Sequence, residues 1–278
     1  MYKIVSHPGS AHKDDFLAVS VLLATLGNAE VFRREPSSTD LEDPNTYVVD
    51  VGMEYDPVRH NFDHHHDHSL PCAFHLVMQH LGHHEAAMMM FEWYPHMSMM
   101  DVRGPYRTAE HLGVDASVLF ASSSPIDGYI ISSFGNIKSL CCEDLLFKFM
   151  KSLGKDMIAL INRKMKRLER LKAEAKVVQV KHLMAVTSEI SNSPKLAMEL
   201  YLRFLNDERI VMSITPSNRS EGWELLRLGD NTIVDFRAIK KSPEILFVHS
   251  SGFLAKTNAR LPIEEVVSLA SLAIMAPE

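Results

Sequence analysis

The stretch MYKIVSHPGSAHKDDFLAVSVLL, residues 1–23, decides how the chain is read. Tyr2-Lys3-Ile4-Val5 has the apolar, β-branched texture of a short strand, and Phe16 to Leu23 is helix-permissive. Between them His7 to Asp15 is polar and carries Pro8 and Gly9, which mark a loop. Strand, loop and helix in this order are the start of a βα unit. Ala29 to Arg33 predicts a second strand and Thr46 to Val51 a third. The third is an apolar run ending in Asp50 and Gly52, the way a buried parallel strand delivers a functional group at its C-terminal edge. The expected fold class is α/β, a parallel helix-flanked sheet domain followed by a smaller α+β domain.

Further along, Ser69 to Gly82 reads as helical, and Glu85 to His96 as a helix stopping near Pro95 with Met88-Met89-Met90 as core filling. Phe120 to Gly135 holds serines, Pro125 and Asp127-Gly128, the composition of a turn-rich connector. Residues 143–176 form a long amphipathic helical region with an interruption expected at Gly154. From Lys151 to Lys176 there are nine Lys/Arg against three Asp/Glu, read first as a solvated face and second as a polyanion contact. Strand-like pieces follow at Val177–Val186, Ile210–Thr215, Trp223–Leu228 and Ile245–His249, before a final helix from Pro262 or Ile263 to Ile274. The domain boundary is expected near Lys172–Lys176, giving domains 1–174 and 175–278.

The 278 residues are 46% hydrophobic and 23% charged, which excludes a chain disordered throughout. A formal charge of −6 excludes a strongly basic nucleic-acid coat without excluding local basic surfaces. Three cysteines, Cys72 and the adjacent Cys141 and Cys142, form neither a spaced disulfide framework nor a CxxC metal pair, and suit a reducing compartment. No apolar run reaches the roughly 20 residues of a membrane span and no signal peptide is evident, so a cytoplasmic protein without a membrane partner is expected.

Histidine is the outlier: 15 in all, nine of them between His60 and His84. Four segments combine imidazoles and carboxylates, namely His7 to Asp15, Asp50, Asp63-His64-His65-His66 and Asp101-Val102-Arg103-Gly104. Mixed nitrogen and oxygen donors suit Mn²⁺, Co²⁺ or Zn²⁺, and the lack of nearby thiolates argues against a structural zinc knot. A carboxylate bridging two ions would hold them roughly 3.5–4 Å apart, as phosphoester hydrolysis requires. The histidine tract taken alone could equally be a surface feature.

The run His7-xxxx-His12-x-Asp14, the strand Val48-Val49-Asp50-Val51-Gly52 leading into Glu54-Tyr55-Asp56-Pro57 and Arg59-His60, and Asp63-His64-His65 resemble the melanocyte proliferating gene family, a branch of the DHH phosphoesterase superfamily. Phe247-Val248-His249-Ser250-Ser251-Gly252-Phe253, with Arg260 beyond it, is similar to the family's C-terminal segment. Asp15 stands where the family usually has glutamate, and Asp101 lacks the Asp-Asn-Gly that commonly follows it.

The resemblance implies a DHH-type domain with two divalent cations, Mn²⁺ first and Mg²⁺, Co²⁺ or Zn²⁺ as alternatives, and a smaller substrate-gripping domain. His7, His12 and Asp50 would hold one ion, and Asp14, Asp50, His64 and Asp101 the other. Asp63 would orient His64, and His65 would face the scissile phosphate, making these two the catalytic pair. Lys13, Arg103, His249, Gly252 and Arg260 are the substrate-binding candidates. The implied activity is a metal-dependent 3′-to-5′ exonuclease on short single-stranded RNA, with a homodimer left open. Alternatives are a small-molecule phosphatase or pyrophosphatase, a dinucleotide phosphodiesterase, or a catalytically silent module that binds metal and nucleic acid.

Overall fold

The computed structural model describes residues 1–121, 124–191 and 196–275. The chain divides into two compact units, Met1–Asn162 and Arg163–Glu278.

In the first unit the elements run β1 (Tyr2–Ser6), α1 (Lys13–Leu26), β2 (Ala29–Arg33), α2 (Ser38–Glu42), β3 (Thr46–Val49), β4 (Tyr55–Asp56) and β5 (Asn61–Phe62). There follow α3 (Ala73–His80), α4 (His84–Met90), α5 (Trp93–Leu112), α6 (Ala116–Ala121), α7 (Pro125–Gly135), β6 (Ser139–Leu140) and α8 (Leu145–Glu174). The sheet order is β4-β5-β3-β1-β2-β6. Its centre is parallel: β1 pairs with β2 (Ile4 opposite Val31) and with β3 (Ile4 opposite Tyr47), and β3 with β5 (Val49 opposite Phe62). Both edges are antiparallel, through β4 and β6, so the sheet is mixed where an all-parallel one was expected. These edge strands have two residues each, too short to announce themselves by alternation. Ile4, Val5, Val31, Val48 and Val49 are fully buried, which explains the unbroken apolar texture of the central strands. Helix α1 is buried along most of its length, from Asp14 to Leu23 with Leu17 half-exposed.

Four local expectations are corrected. Helix α5 runs through Pro95, which sits in its first turn where the missing N–H has no intrahelical partner to lose. It breaks instead at Gly104, with φ +76°, just before Pro105. The supposed connector at 120–135 contains α7, whose N-terminus is capped by Ser124 Oγ accepting from the Ile126 N–H, with Pro125 next; residues 122–123 lie outside the described residues. Gly154 does not interrupt α8: a Cβ there would lie 2.1 Å from the Ser20 carbonyl oxygen, so glycine permits close helix packing. Of the three methionines assigned to the core, Met90 is buried but Met88 and Met89 are more than two-fifths exposed, because the short α4 offers only one face.

The second unit contains the C-terminal part of α8, then β7 (Lys176–Val180), β8 (Leu183–Thr187), α9 (Leu196–Leu205), β9 (Ile210–Pro216), β10 (Trp223–Arg227), β11 (Ile245–Val248), β12 (Leu254–Thr257) and α10 (Ile263–Ser271). Its six strands are ordered β11-β12-β10-β9-β8-β7, antiparallel except for β8 beside β9. That parallel step requires a crossover, which α9 supplies. The core gathers Val211, Met212, Trp223, Leu225, Phe236, Val266 and Ala270. The division between units falls inside α8, upstream of the change in texture near Lys176 that suggested the boundary after residue 174. Beyond Asn162, Arg167 donates to Ser191 and the Lys172 ammonium lies over the Phe204 ring, both within the second unit.

Candidate metal centre

Because β1, β3 and β5 are parallel neighbours, the residues that follow them emerge at one edge of the sheet: His7, Asp50, and Asp63 with His64. Asp14 and Asp15 lie in the first turn of α1, with His12 at its N-cap. Asp101 comes from α5, a helix and not a strand end.

These side chains converge. His64 Nε2 lies 3.2 Å from Asp50 Oδ1 and 3.1 Å from Asp101 Oδ2. His7 Nε2 is 3.4 Å from Asp50 Oδ2, His12 Nδ1 is 3.9 Å from Asp101 Oδ1, and the His7 and His12 ring centres are 5.5 Å apart. Three groups have donor atoms all within 4.8 Å of one another: His7, His12 and Asp50; Asp50, His64 and His65; His12, Asp14 and Asp101. The trio His7, His12, Asp50 is the one the resemblance implies, whereas Asp14, Asp50, His64 and Asp101 are distributed over two groups joined through the ion-pair contacts of His64.

Buried polar atoms normally find hydrogen-bond partners. Here His7 Nε2, both Asp14 oxygens, Asp50 Oδ1 and His64 Nε2 are buried without one, although carboxylates and imidazoles crowd around them. Atoms close together but misaligned for mutual hydrogen bonds are what donors aimed at a shared cation look like, and nitrogen with carboxylate oxygen is the set borderline divalent ions accept. The residues fit a divalent metal.

The electrostatics carry the same signature. Burial, then the charges of Asp50 and Asp101, push the Asp14 carboxyl well above the usual range. Burial likewise raises Asp50, against the pull of His64. Burial lowers His64, but the nearby carboxylates of Asp101 and Asp50 outweigh it and push the imidazole up to about 10. Asp50 also has φ +60°, a left-handed conformation uncommon for a residue with a side chain and often retained at functional sites.

Asp63 does not orient His64. Its Oδ1 accepts from His65 Nδ1 at 2.6 Å and from the His65 N–H at 3.1 Å, and its Oδ2 accepts from the Met53 N–H at 2.6 Å. The turn after β5 brings the backbone and ring of residue 65 onto the carboxylate, while His64 points at Asp50 and Asp101. Burial raises the Asp63 carboxyl, but the bonds from His65 and Met53 prevail and hold it below the ordinary value.

Two residues were given no role in the sequence reading. Asp15 is fully buried; its Oδ2 accepts from Arg33 at 2.8 Å and lies 3.3 Å from His7 Nε2, and its Oδ1 accepts from the His12 N–H at 2.9 Å. Arg33, also buried, donates to the Gly9 carbonyl and lies 4.3 Å from the Phe134 ring centre. The pair ties β2 to the His7–His12 loop, and the Asp15 carboxylate, 3.3 Å from Nε2, raises the His7 imidazole. Arginine at a strand end was the available signal, but its partner lies 18 residues away.

The substrate-binding candidates are scattered. Lys13 is paired with Asp127 at 2.8 Å on the rim of a cavity that Asp14 and Asp101 also line. Arg103 lines a different cavity, with His68, His75 and His84, because two helical steps turn it about 200° from Asp101. In the second unit, Arg260 pairs with Glu189 and its guanidinium lies 3.7 Å from the centre of the buried Trp223 ring. The Gly252 N–H donates to the His249 carbonyl at 2.9 Å and the Ser251 N–H to His249 Nδ1 at 3.2 Å. The amides of this substrate-binding candidate segment are therefore spent within the turn. Gly252 is required there: φ is +72° and a Cβ would lie 2.2 Å from Asp235 Oδ1.

The fold and the cluster define a class, an α/β protein with a candidate divalent-metal centre at the ends of parallel strands. Residues 3–77 match the MYG1 exonuclease family model, described as Uncharacterised protein family (UPF0160), which shows the resemblance to that family over the segment holding most of the cluster. The MYG1 exonuclease of Rattus norvegicus is 46% identical over 66 residues and that of Homo sapiens 44% over 69, in each case 23% of this chain. The match spans only 16% and 17% of the length of these relatives. A solved pGpG-specific phosphodiesterase from Vibrio cholerae aligns over 98% of this chain and 97% of its own at 14% identity, but with a TM-score of 0.29, too loose a likeness to bear on fold or function.

Proposed function

We propose that the chain is a metal-dependent phosphodiester hydrolase of the DHH type, acting as a 3′-to-5′ exonuclease on short single-stranded RNA with Mn²⁺ as its preferred ion. The observation that carries this reading is the set of buried, unpartnered donor atoms of His7, Asp14, Asp50 and His64 at one sheet edge. The family match over residues 3–77 and the exonuclease activity of the relatives similar to this chain support it.

Divalent cations held there would activate water and neutralise charge on the phosphoryl oxygens. The chain's own residues prepare that chemistry. Arg33 and Asp15 hold His7 against the cluster. Asp63, by accepting from Nδ1 of His65, fixes the tautomer and leaves Nε2 to contact a phosphoryl oxygen or move a proton. His65 is half-exposed, as a group meeting substrate must be. The second unit, with Arg260 and His249, is assigned the grip on the rest of the substrate, and the three free thiols suit a reducing compartment.

The test is hydrolysis of 5′-labelled and 3′-labelled RNA and DNA oligomers with Mn²⁺ or chelator, products being resolved nucleotide by nucleotide. A ladder shortening from the 3′ end of RNA is expected. Internal cuts, or turnover confined to small phosphate esters, would overturn the reading.

A further inference from the structure

A cavity of about 870 Å³ lies wholly within the first unit and shares a wall with the metal cluster, through His12, Asp14 and Asp101. Its remaining walls are mainly apolar: Leu17 from α1, Trp93, Met97 and Met100 from α5, and Ile131 from α7. Trp93 is 43% exposed and Met100 36%, large apolar side chains left uncovered beside buried charge. The volume falls in the range of roughly 300–1,000 Å³ that holds a small organic molecule.

The lining selects among substrates. An inorganic polyphosphate needs cations along its length beyond the cluster, yet Lys13, the lysine among the described residues of this lining, is paired with Asp127 at 2.8 Å. A planar heteroaromatic group suits the walls better: the Trp93 indole, partly exposed and stacked on Phe91 at 5.2 Å between ring centres, extends an aromatic surface to the cavity, and thioethers pack favourably on aromatic rings.

We propose that this cavity receives the nucleobase next to the phosphate held at the cluster, so that the enzyme selects a base-bearing nucleotide and not a bare phosphoester. The proposal rests on the phosphodiester reading above and adds a specificity determinant, Trp93 with Met97 and Met100. The base stacks on Trp93 while its phosphate reaches past Asp101 to the donor atoms.

Two measurements test it on the full chain. In the first, steady-state hydrolysis with Mn²⁺ compares the dinucleotide pApA with analogues lacking either base. Trp93→Ala is expected to raise KM for pApA about tenfold while leaving hydrolysis of at least one abasic analogue unchanged. An equal effect on all substrates, or none, would overturn the pocket. In the second, adenosine 5′-monophosphate is titrated against tryptophan fluorescence, with no turnover involved. Saturable quenching is expected in the wild type and is expected to vanish in Trp93→Phe, which keeps an apolar ring in place. Absence of quenching, or its persistence in Trp93→Phe, would contradict the proposal. If no dinucleotide is cleaved with any ion but quenching follows Trp93, the hydrolase reading fails and the base pocket stands.

Discussion

Asp50→Asn is the most informative single change, because two of the three donor groups contain Asp50 and only His12, Asp14 and Asp101 remain without it. Asparagine keeps the shape of the side chain and tolerates the left-handed backbone at φ +60°, so the fold should survive. Its amide cannot supply the negative charge that Asp50 would offer to cations held at the cluster. Bound Mn²⁺ should fall from about two ions per chain to at most one, and kcat/KM by far more than tenfold, a barrier increase above roughly 1.4 kcal/mol. The metal-free protein should behave in the opposite sense. The Asp50 charge helps to raise Asp14, so removing it relieves repulsion among buried carboxylates and should leave the metal-free Tm unchanged or higher. The assay combines ion counting on gel-filtered protein, oligonucleotide kinetics and thermal melts without metal. A variant that binds two ions and retains more than a tenth of wild-type activity would remove Asp50 from the centre of the site.

Burial holds the His75 imidazole down, from 6.5 to about 4, so between those pH values the unfolded chain binds the extra proton; stability is full above pH 6.5 and is lost by about 3 kcal/mol as pH falls to 4. His75→Gln should flatten that part of the pH profile in urea unfolding; because Asp14 and Asp50 are raised and contribute with the opposite sign, the test is the difference between the two proteins, and identical slopes would refute it. Gly154→Ala should destabilise by roughly 1–3 kcal/mol, since the clash with the Ser20 carbonyl exceeds the roughly 1 kcal/mol gained in helix propensity; a higher Tm would show the helices are free to part. Arg260→Ala should raise KM for oligonucleotides and shallow the salt dependence without altering ion binding, and an unchanged KM would leave the second unit without the grip assigned to it.

Much of the centre is visible in the sequence because it is built from strand ends. The change from apolar strand to polar loop at His7, and Asp50 closing the run from Thr46, are local signals, and parallel pairing turns them into neighbours. What stayed hidden depends on distant partners or on residues that serve two purposes. Arg33 is an ordinary strand-end cation until Asp15 comes within 2.8 Å, and Asp15 stands in the shadow of Asp14. Asp63 contacts His65 and not His64 because of a tight turn that residue order does not disclose. Ser124-Pro125 serves equally as turn or helix cap, and Gly154 as break or contact point; the packing around each decides. Helix α9 follows from the parallel step between β8 and β9, which no alternation pattern records.

The central claim is that the cluster of His7, His12, Asp14, Asp50, His64 and Asp101 binds divalent ions and hydrolyses phosphodiesters by means of them. The most direct measurement strips the full chain of metal, titrates Mn²⁺ back, and follows bound ion and dinucleotide hydrolysis in the same samples. The account predicts no turnover in the stripped protein and activity that rises with occupancy to a plateau at about two ions per chain. Full turnover in the stripped protein, or saturation with ion and still no hydrolysis of any phosphodiester, would contradict it.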